Sequence, residues 1–207
     1  MSETSLCPTP RTRIRRHPER GSYETAEIHA ILDEAYLCTV AFHDGETAHA
    51  IPTACWREGS HLYIHGSNGS RLLRALADGA PSCVSVTHLD GLVFARSAFH
   101  HSMNYRSVAL YGRFEAVQGE AKRRAISAFM AHLTPERADQ IRAADEQELA
   151  ATTVLRIAID EAVAKRRSGP PVERAGDEAL PVWSGVVPLK LTRGEPVPAP
   201  PQEIENA

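Results

Sequence analysis

The chain has 207 residues, of which 43% are hydrophobic and 24% charged, and its formal net charge is −3 at pH 7. These values fit one globular domain with a sizeable core and exclude a fibrous or largely disordered chain. The negative balance also argues against a nucleic-acid surface over the whole protein, because phosphate contacts need clustered Lys and Arg.

The sequence lacks the signals of membrane spans, secretion, disulfide frameworks and metal sites. No apolar run approaches the ~20 residues that cross a bilayer, and residues 1–10 lack the apolar stretch of a secretory signal, so we expect a cytoplasmic protein. The four cysteines form no CxxC pair, which argues against a disulfide framework or a structural zinc site. HExxH is absent, and His61 and His65 lie roughly 13 Å apart by strand rise, so no metal site is predicted.

The N-terminal residues 1–20 predict a basic arm followed by a helix. The arm is expected to be extended and solvated, since it carries Arg11, Arg13, Arg15, Arg16 and Arg20. From Tyr23 onwards apolar residues recur at helical spacing, and Ser22 is a plausible N-cap. The residues with this spacing are Ile28, Ile31, Leu32 and Ala35.

Three antiparallel strands and a second helix are predicted next. Alternating and apolar runs joined by Asp-Gly and Glu-Gly turns predict strands over Leu37–Phe42, Glu46–Trp56 and His61–His65. The spacing of Leu72, Leu73 and Leu76 predicts a helix over Ser70–Ala77, with Gly79 placed to end it.

The remaining chain continues the β-rich pattern. A strand pair around Asp90-Gly91, a long strand interrupted at Gly112 and a later strand are predicted over Ser82–His88 with Leu92–Ala95, Tyr105–Val117 and Thr152–Ile159. Helices are predicted over Glu120–Leu133 and after a capping Asp145. Gly169-Pro170-Pro171 breaks the chain, and Pro181–Leu189 adds a final strand.

This pattern predicts a mainly β fold with peripheral helices. Short antiparallel strands favour a closed or partly closed barrel over residues 21–192, and strands and crossover helices do not alternate as a doubly wound parallel sheet requires. Residues 193–207 are Pro-rich and polar, and we expect a disordered tail.

Two segments carry chemistry. His65–Arg71 joins an apolar strand to a helix through small polar residues, an arrangement that holds a phosphate with backbone N–H groups and the Arg71 guanidinium, or that serves as an ordinary capped loop. Phe99–Val108 is rich in hydrogen-bonding side chains beside apolar residues, which indicates a polar site or a solvated loop.

These segments also carry a resemblance to a known family. The chain resembles the pyridoxamine 5′-phosphate oxidase-like FMN-binding split barrels, in the branch that includes nitroimidazole-resistance proteins. The match runs from about Arg16 to Leu189, and its most specific pieces are Arg16–Arg20, Ile64–Arg71, Thr87–Leu92, Ser97–Arg106, Lys165–Pro171 and Leu180–Gly185.

The resemblance implies a Greek-key-like split barrel and a homodimer with FMN at its interface. The strand matching Ala48–Thr53 would lie along the flavin ring, and Tyr105–Ser107 would face it from the partner or the opposite wall. Trp183 either covers the flavin or fills the core, and Lys165 belongs either to a basic turn or to the site. The implied cofactor-binding residues are His49, Ile51, Pro52, Thr53, Ile64, His65, Ser67, Ser70, Arg71, Asn104, Tyr105, Arg106, Ser107, Lys165 and Trp183.

The function expected from the resemblance is an NAD(P)H-dependent reductase of a small nitro, quinone or similar acceptor, with His101 or Tyr105 as candidate proton donors. A flavin carrier or sensor without turnover, and a DNA-linked regulator using the arginine arm, are the alternatives. Vitamin B6 oxidation is not expected, because the chain ends in a Pro-rich acidic segment where the true oxidase has an arginine-containing one. Split barrels sometimes accept deazaflavin or haem instead of FMN.

Overall fold

The computed structural model describes residues 5–137 and 140–200. Within these ranges the chain forms ten β-strands and four α-helices. The strands are β1 (Gly21–Ser22), β2 (Leu37–His43), β3 (Ala48–Glu58), β4 (His61–Ser67), β5 (Ser82–Phe94), β6 (Ser102–Gly112), β7 (Glu115–Ala116), β8 (Thr152–Ala158), β9 (Ala162–Arg167) and β10 (Gly185–Pro188). The helices are α1 (Thr25–Asp33), α2 (Arg71–Ala77), α3 (Gly119–Leu133) and α4 (Glu146–Ala151).

The strands form one antiparallel sheet that folds into a split β-barrel, as predicted. Their lateral order is β1-β9-β6-β5-β2-β3-β4-β8-β7, and β10 pairs with β5. The long strand β3 belongs to both halves of the barrel, since residues 48–54 pair with β2 and residues 55–58 pair with β4. Residues 48–54 therefore have one edge of the strand free of β4.

Two apolar clusters fix this arrangement. The larger one fills the barrel, where alternate residues of the strands point inward and meet α1 and α2. The smaller one lies outside the barrel, between α3 and the strands β3, β4 and β8, and contains Trp56, Tyr63 and Phe129. The outer face of β3 is thus covered by α3 at Trp56 but bare at Ala48, Ala50 and Pro52, which are exposed.

Most predicted elements are present, but several differ from expectation. The strand pair expected around Asp90-Gly91 is a single strand, β5, which pairs with β6 along its length through a bulge between Leu89 and Gly91. The strand expected over Tyr105–Val117 is interrupted at Gly112, as predicted, but the interruption ends β6, and β7 beyond it is a separate strand with a different neighbour. Ser22 is not the N-cap of α1, because it pairs with β9 and the cap position is Glu24.

The C-terminal half contains a strand that the sequence analysis missed. Lys165-Arg166-Arg167, interpreted as a basic turn, is the end of β9, which pairs with β6 and β1. Its first residues, Ala162–Ala164, are buried. The three basic side chains consequently emerge from the rigid edge of the barrel and not from a loop.

The described part of the N-terminal segment lies against the barrel. Leu6 packs on the main core, Thr12 is buried, and the Arg11 guanidinium pairs with Glu161 and lies 5.1 Å from the Tyr111 ring centroid. The Tyr23 hydroxyl donates to the Thr12 carbonyl oxygen at 2.9 Å. Residues 5–20, which include a 3-10 turn at Pro18–Arg20, are therefore docked on the barrel and not an extended, solvated arm.

The C-terminal segment after β10 forms neither helix nor strand over residues 189–200. Arg193 is nevertheless anchored, since its Nη2 donates to the Tyr36 hydroxyl at 2.9 Å and to the Leu133 carbonyl at 3.0 Å. The rest of the predicted tail, residues 201–207, lies outside the described residues. Among the described helices, none has the length and apolar character needed to span a membrane.

Candidate functional site

The loop between β4 and α2 is braced from within. Gly69 N–H donates to Ser67 Oγ at 3.2 Å, and Ser70 N–H donates to the Ser67 carbonyl at 2.9 Å. Arg74 donates to the carbonyl oxygens of Asn68 (3.2 Å) and Gly69 (2.6 Å). Ser70 caps α2, its Oγ accepting from Leu73 N–H at 3.5 Å.

Arg71 differs from its neighbours in this loop. Its side chain is exposed and makes no hydrogen bond or ion pair within residues 5–137 and 140–200. Together with Arg74 it lines a cavity of about 650 Å³ that also reaches His43 and Asp44. Because a guanidinium binds phosphate oxygens with two parallel N–H donors, Arg71 is the group of this loop best placed to hold an anion.

The strand predicted to face the flavin ring, residues 48–53 of β3, exposes its backbone because its outward side chains are small. Ile51 packs toward the main core, and His49 lies under Phe42 with ring centroids 4.9 Å apart and bonds Asp44 Oδ2 at 2.6 Å. On the opposite face the exposed residues Ala48, Ala50 and Pro52 are small. A flat ligand can therefore approach this stretch of β3 closely.

Ile64 and His65 occupy opposite faces of β4. Ile64 is fully buried in the main core, so only its backbone can reach a cofactor. His65 lies on the outer face, 4.5 Å from the Phe129 ring and 5.7 Å from the Trp56 ring between centroids. Burial lowers the pKa of His65, which keeps its imidazole neutral at pH 7.

Two nitrogens in this outer cluster lack partners. Nδ1 of His65 and Nε1 of Trp56 are both buried without a hydrogen bond to any described residue. Buried polar atoms are normally hydrogen-bonded, and an unpaired one costs about 1–3 kcal/mol. The unpaired ring of His65, next to the bare stretch of β3, thus fits a site that is completed by a ligand.

The predicted residues on β6 also divide between two faces. Ser107 donates to the Lys165 carbonyl at 3.2 Å on the outer side, while Arg106 points to the other side and pairs with Asp90 (2.9 Å) and Glu34 (2.7 Å). These two carboxylates raise the pKa of Arg106. Since both carboxylates already neutralise Arg106, we assign it no free donor for a cofactor phosphate.

The other predicted residues of this half lie nearby. Asn104 is buried and donates to the Gly169 carbonyl at 3.2 Å, and Lys165 Nζ donates to the Arg16 carbonyl at 3.3 Å. Tyr105 pairs in register with Arg167 of β9. Tyr105, Ser107 and Lys165 are therefore neighbours on the outer face of the sheet.

One chain does not bring the two halves of the predicted site together. The residues of β3 and those of β6 lie on the same outer face, but β2 and β5 stand between them. Three strand spacings of about 4.8 Å separate them by roughly 14 Å. Within this chain, a flavin ring held on β3 would not be in contact with Tyr105 or Ser107.

Trp183 and His101 form a third group, near the start of β6. Trp183 is 63% exposed and does not fill the core, and its ring lies 5.9 Å from that of Phe94. His101 lies 5.6 Å from the same Phe94 ring, and its Nδ1 is 3.0 Å from the Ser97 carbonyl. Because a carbonyl oxygen only accepts, Nδ1 is the donor in this contact, and Nε2 makes no hydrogen bond to a described residue.

A buried network beside this group was not found from the sequence. Arg96 Nη1 donates to Glu173 Oε1 at 3.1 Å and to Ser184 Oγ at 2.6 Å, tying the segment after β9 to the β5–β6 hairpin. Its members are far apart in sequence and no local pattern marks them. In the described ranges, no group of three or more His, Cys, Asp or Glu is arranged to hold a metal ion.

Comparison with known proteins identifies the family of this chain. The family model described as pyridoxamine 5′-phosphate oxidase matches residues 24–166. The FAD and haem binding protein from Mycobacterium smegmatis is 41% identical, with a TM-score of 0.85 over 91% of this chain and 93% of that one. The flavocytochrome Anf3 from Azotobacter vinelandii is 36% identical, with a TM-score of 0.88 over 97% and 94%.

A more distant structure shares the fold alone. It belongs to a protein from Bacteroides thetaiotaomicron assigned to 5-nitroimidazole antibiotic resistance, 20% identical, with a TM-score of 0.60 over 70% of this chain and 86% of that one. No curated protein matches the chain significantly. The family match, which spans well over half of the sequence, and the two similar structures agree with the split barrel found here. The chain belongs to the pyridoxamine 5′-phosphate oxidase family.

Proposed function

We propose that the protein is a flavin-dependent redox protein that acts as a homodimer. The observation that carries this proposal is the similarity, over more than nine-tenths of both chains, to a protein that binds FAD and haem and to a flavocytochrome. The geometry supports it, because the two halves of the predicted site share one face of the sheet but do not meet in one chain. A second copy related by a twofold axis would supply β6 and β9 opposite β3.

In this arrangement the residues have distinct roles. The backbone of residues 48–53 lies along the ring, His65 meets the ring edge, and Ser70 with Arg71 holds the phosphate. Tyr105 and Ser107 of the second copy close the other side. The small exposed side chains of Ala48, Ala50 and Pro52 permit the close approach.

The flavin itself is the next part of the proposal. The sequence resemblance predicts FMN, and the similar Mycobacterium smegmatis protein binds FAD. FMN is contained within FAD, so the contacts above suit either molecule. We propose FAD on the strength of the 41% identical relative, with FMN as the alternative that extraction of the bound flavin would identify.

The chemistry follows from the cofactor and not from a catalytic motif. A bound flavin supplies hydride transfer from NAD(P)H and electron transfer to a small acceptor such as a nitro compound or quinone, and the protein supplies position and exclusion of water. His65 can donate or accept one hydrogen bond as a neutral imidazole beside the ring. Tyr105 is a candidate proton donor at the facing wall.

Haem is a second candidate cofactor, favoured by both similar structures. A histidine that holds haem iron would do so through one ring nitrogen, while its other ring nitrogen commonly donates to a carbonyl. His101 has such a contact, since its Nδ1 lies 3.0 Å from the Ser97 carbonyl, and the rings of Phe94 and, next to it, Trp183 add aromatic surface on one side. We propose that His101, rather than acting as a proton donor, would ligate haem here.

A spectroscopic experiment tests these points together. The purified protein should show a flavin band that bleaches on anaerobic addition of NADH or NADPH, and a Soret band after haem is supplied. His101→Ala should lose the Soret band and keep the flavin, whereas the adjacent His100→Ala serves as its control. A flavin that binds but is not reduced would favour the carrier or sensor, and absence of flavin binding would refute the proposal.

A further inference from the structure

A small basic cavity lies at the end of β9. It has a volume of about 240 Å³, and three arginines from two separate segments surround it. The lining residues are Glu19, Arg20, Arg166, Arg167, Ser168, Pro170 and Val172. None of the residues predicted to hold the flavin lines this cavity, although Arg167 pairs in register with Tyr105, so it opens at the rim of the outer face.

Arg167 has donors left over and no carboxylate partner. Its Nη1 donates to Asn104 and, at 3.2 Å, to the Gly169 carbonyl, and its Nη2 donates to the Pro170 carbonyl at 3.0 Å. Within the described ranges Nε makes no bond, and the acceptors it does use are all neutral. Burial, followed by the positive charge of Arg20, lowers the pKa of Arg167.

Arg20 is brought to the same cavity by the docked N-terminal segment. The turn Pro18–Arg20 follows His17, whose backbone is left-handed at φ 56°, a conformation that is unfavourable for a residue other than glycine. The Arg20 side chain makes no hydrogen bond in the described ranges. Its one carboxylate neighbour is Glu19, at 3.8 Å, which also bonds His17 at 3.0 Å.

Two of the three arginines of this cavity are not simple solvated surface residues. Arg166 fits that description, since it is 63% exposed and pairs with Glu27 at 3.3 Å. Arg20 and Arg167 do not, because the fold holds them near each other despite the backbone strain at His17 and the repulsion between their positive charges. An oxyanion shared between two guanidinium groups removes that repulsion and uses their unpaired N–H donors.

We propose that Arg20, Arg167 and Ser168 bind a phosphate group of an adenine dinucleotide. Resting on the flavin function proposed above, this site would take the phosphate next to the adenosine of FAD or the 2′-phosphate of NADPH, two sources of the same chemistry. Glu19 also lines the cavity, and because its carboxylate repels an anion, Arg20 and Arg167 must together outweigh one negative charge. The volume suits one phosphate group and not a nucleobase with it.

The test compares Arg20→Gln with Arg124→Gln, an exposed arginine of α3 without a partner in the described ranges. Arg20 is preferred to Arg167 because it makes no hydrogen bond that holds the fold. Loss of a charged contact predicts a roughly tenfold weaker affinity for the ligand that uses it. If the phosphate comes from FAD, Arg20→Gln raises the dissociation constant of FAD and leaves that of FMN unchanged. If the phosphate comes from NADPH, Arg20→Gln raises the KM for NADPH and leaves that for NADH unchanged.

Other results would overturn the inference. Equal weakening of FAD and FMN, or no change for any of the four ligands, would show that the cavity binds no dinucleotide phosphate. A titration with ADP separates this inference from the proposed function. If the wild type binds ADP and Arg20→Gln does not, the site is supported even in a protein that takes up no flavin. If the wild type binds flavin but Arg20→Gln weakens neither FAD nor NADPH selectively, the site alone is refuted.

Discussion

Arg71 illustrates how a single side chain can be free in a loop whose other polar groups are occupied. Ser67, Ser70 and Arg74 all bond within the loop after β4. Arg71 stands at the first position of α2, exposed and unpaired in the described ranges. A residue with this placement contributes little to folding, so its substitution separates ligand binding from stability.

We expect Arg71→Ala to weaken flavin binding without lowering the melting temperature. Charge-assisted hydrogen bonds contribute about 1.5–3 kcal/mol, which corresponds to at least about a tenfold rise in Kd. Flavin fluorescence titration and thermal denaturation of the flavin-free protein measure the two effects. Arg74→Ala is the matched control, and it should lower both the flavin affinity and the melting temperature, because Arg74 braces the loop. Unchanged affinity in Arg71→Ala would place the phosphate elsewhere.

The hairpin that carries the ring-facing strand depends on one carboxylate. Asp44 Oδ1 accepts from Glu46 N–H at 3.0 Å and Thr47 N–H at 2.9 Å, and Oδ2 bonds His49 at 2.6 Å. The Thr47 N–H, the His49 side chain and the Glu46 N–H lower the pKa of Asp44 from its ordinary value of 3.8. The turn therefore orders the start of β3 in a charge-dependent way.

Asp44→Asn should destabilise the protein in a pH-dependent manner. Because the folded pKa lies below the unfolded one, the stabilisation by Asp44 is complete above the ordinary carboxyl value and is lost as the pH falls through the folded value. The difference in melting temperature between wild type and Asp44→Asn should thus be largest near neutral pH and shrink below about pH 4. Glu46→Gln, with an exposed side chain, is the control, and a difference that grows toward acid pH would contradict the prediction.

Elements with local signals could be predicted from the sequence, and elements set by distant partners could not. The periodicity of α1 and α3, and the Asp145 capping box of α4, depend on residues a few positions apart. The Asp90-Gly91 signal suggested a turn, but pairing with β6 and β10 holds β5 extended through that point. The short strand β9 has no alternation, since Ala162–Ala164 are buried on both faces.

The same distinction applies to the candidate site. The loop around Arg71 is contiguous in sequence and was identifiable, including its capping serine. The ion pairs of Arg106 with Asp90 and Glu34, and the network of Arg96 with Glu173, join residues from different elements. Only the folded chain shows that Arg106 is already neutralised while Arg71 has no partner among the described residues.

At the scale of the whole molecule, the outward side chains of β2 and β5 at the centre of the described sheet are small and uncharged. The lateral neighbours Pro52, Thr39, Ser85 and Ala109 form one row across β3, β2, β5 and β6. Leu37 and Leu89 are exposed at its margins. Small uncharged side chains in such a row allow a second sheet to pack closely, as the proposed homodimer requires.

Placing a charge in this row should separate the subunits and release the flavin together. Ser85→Arg would bury an unpaired guanidinium at the centre of the interface, which costs several kcal/mol, while the exposed Ser85 makes no contact that the barrel needs. We expect a 22.6 kDa monomer by light scattering, and a flavin affinity reduced at least about tenfold, since Tyr105 and Ser107 of the second copy are lost. Ser127→Arg, which adds the same charge on the exposed side of α3, should leave both unchanged. A Ser85→Arg protein that stays dimeric would move the interface to another face, and one that is monomeric yet binds flavin normally would show that a single chain completes the site.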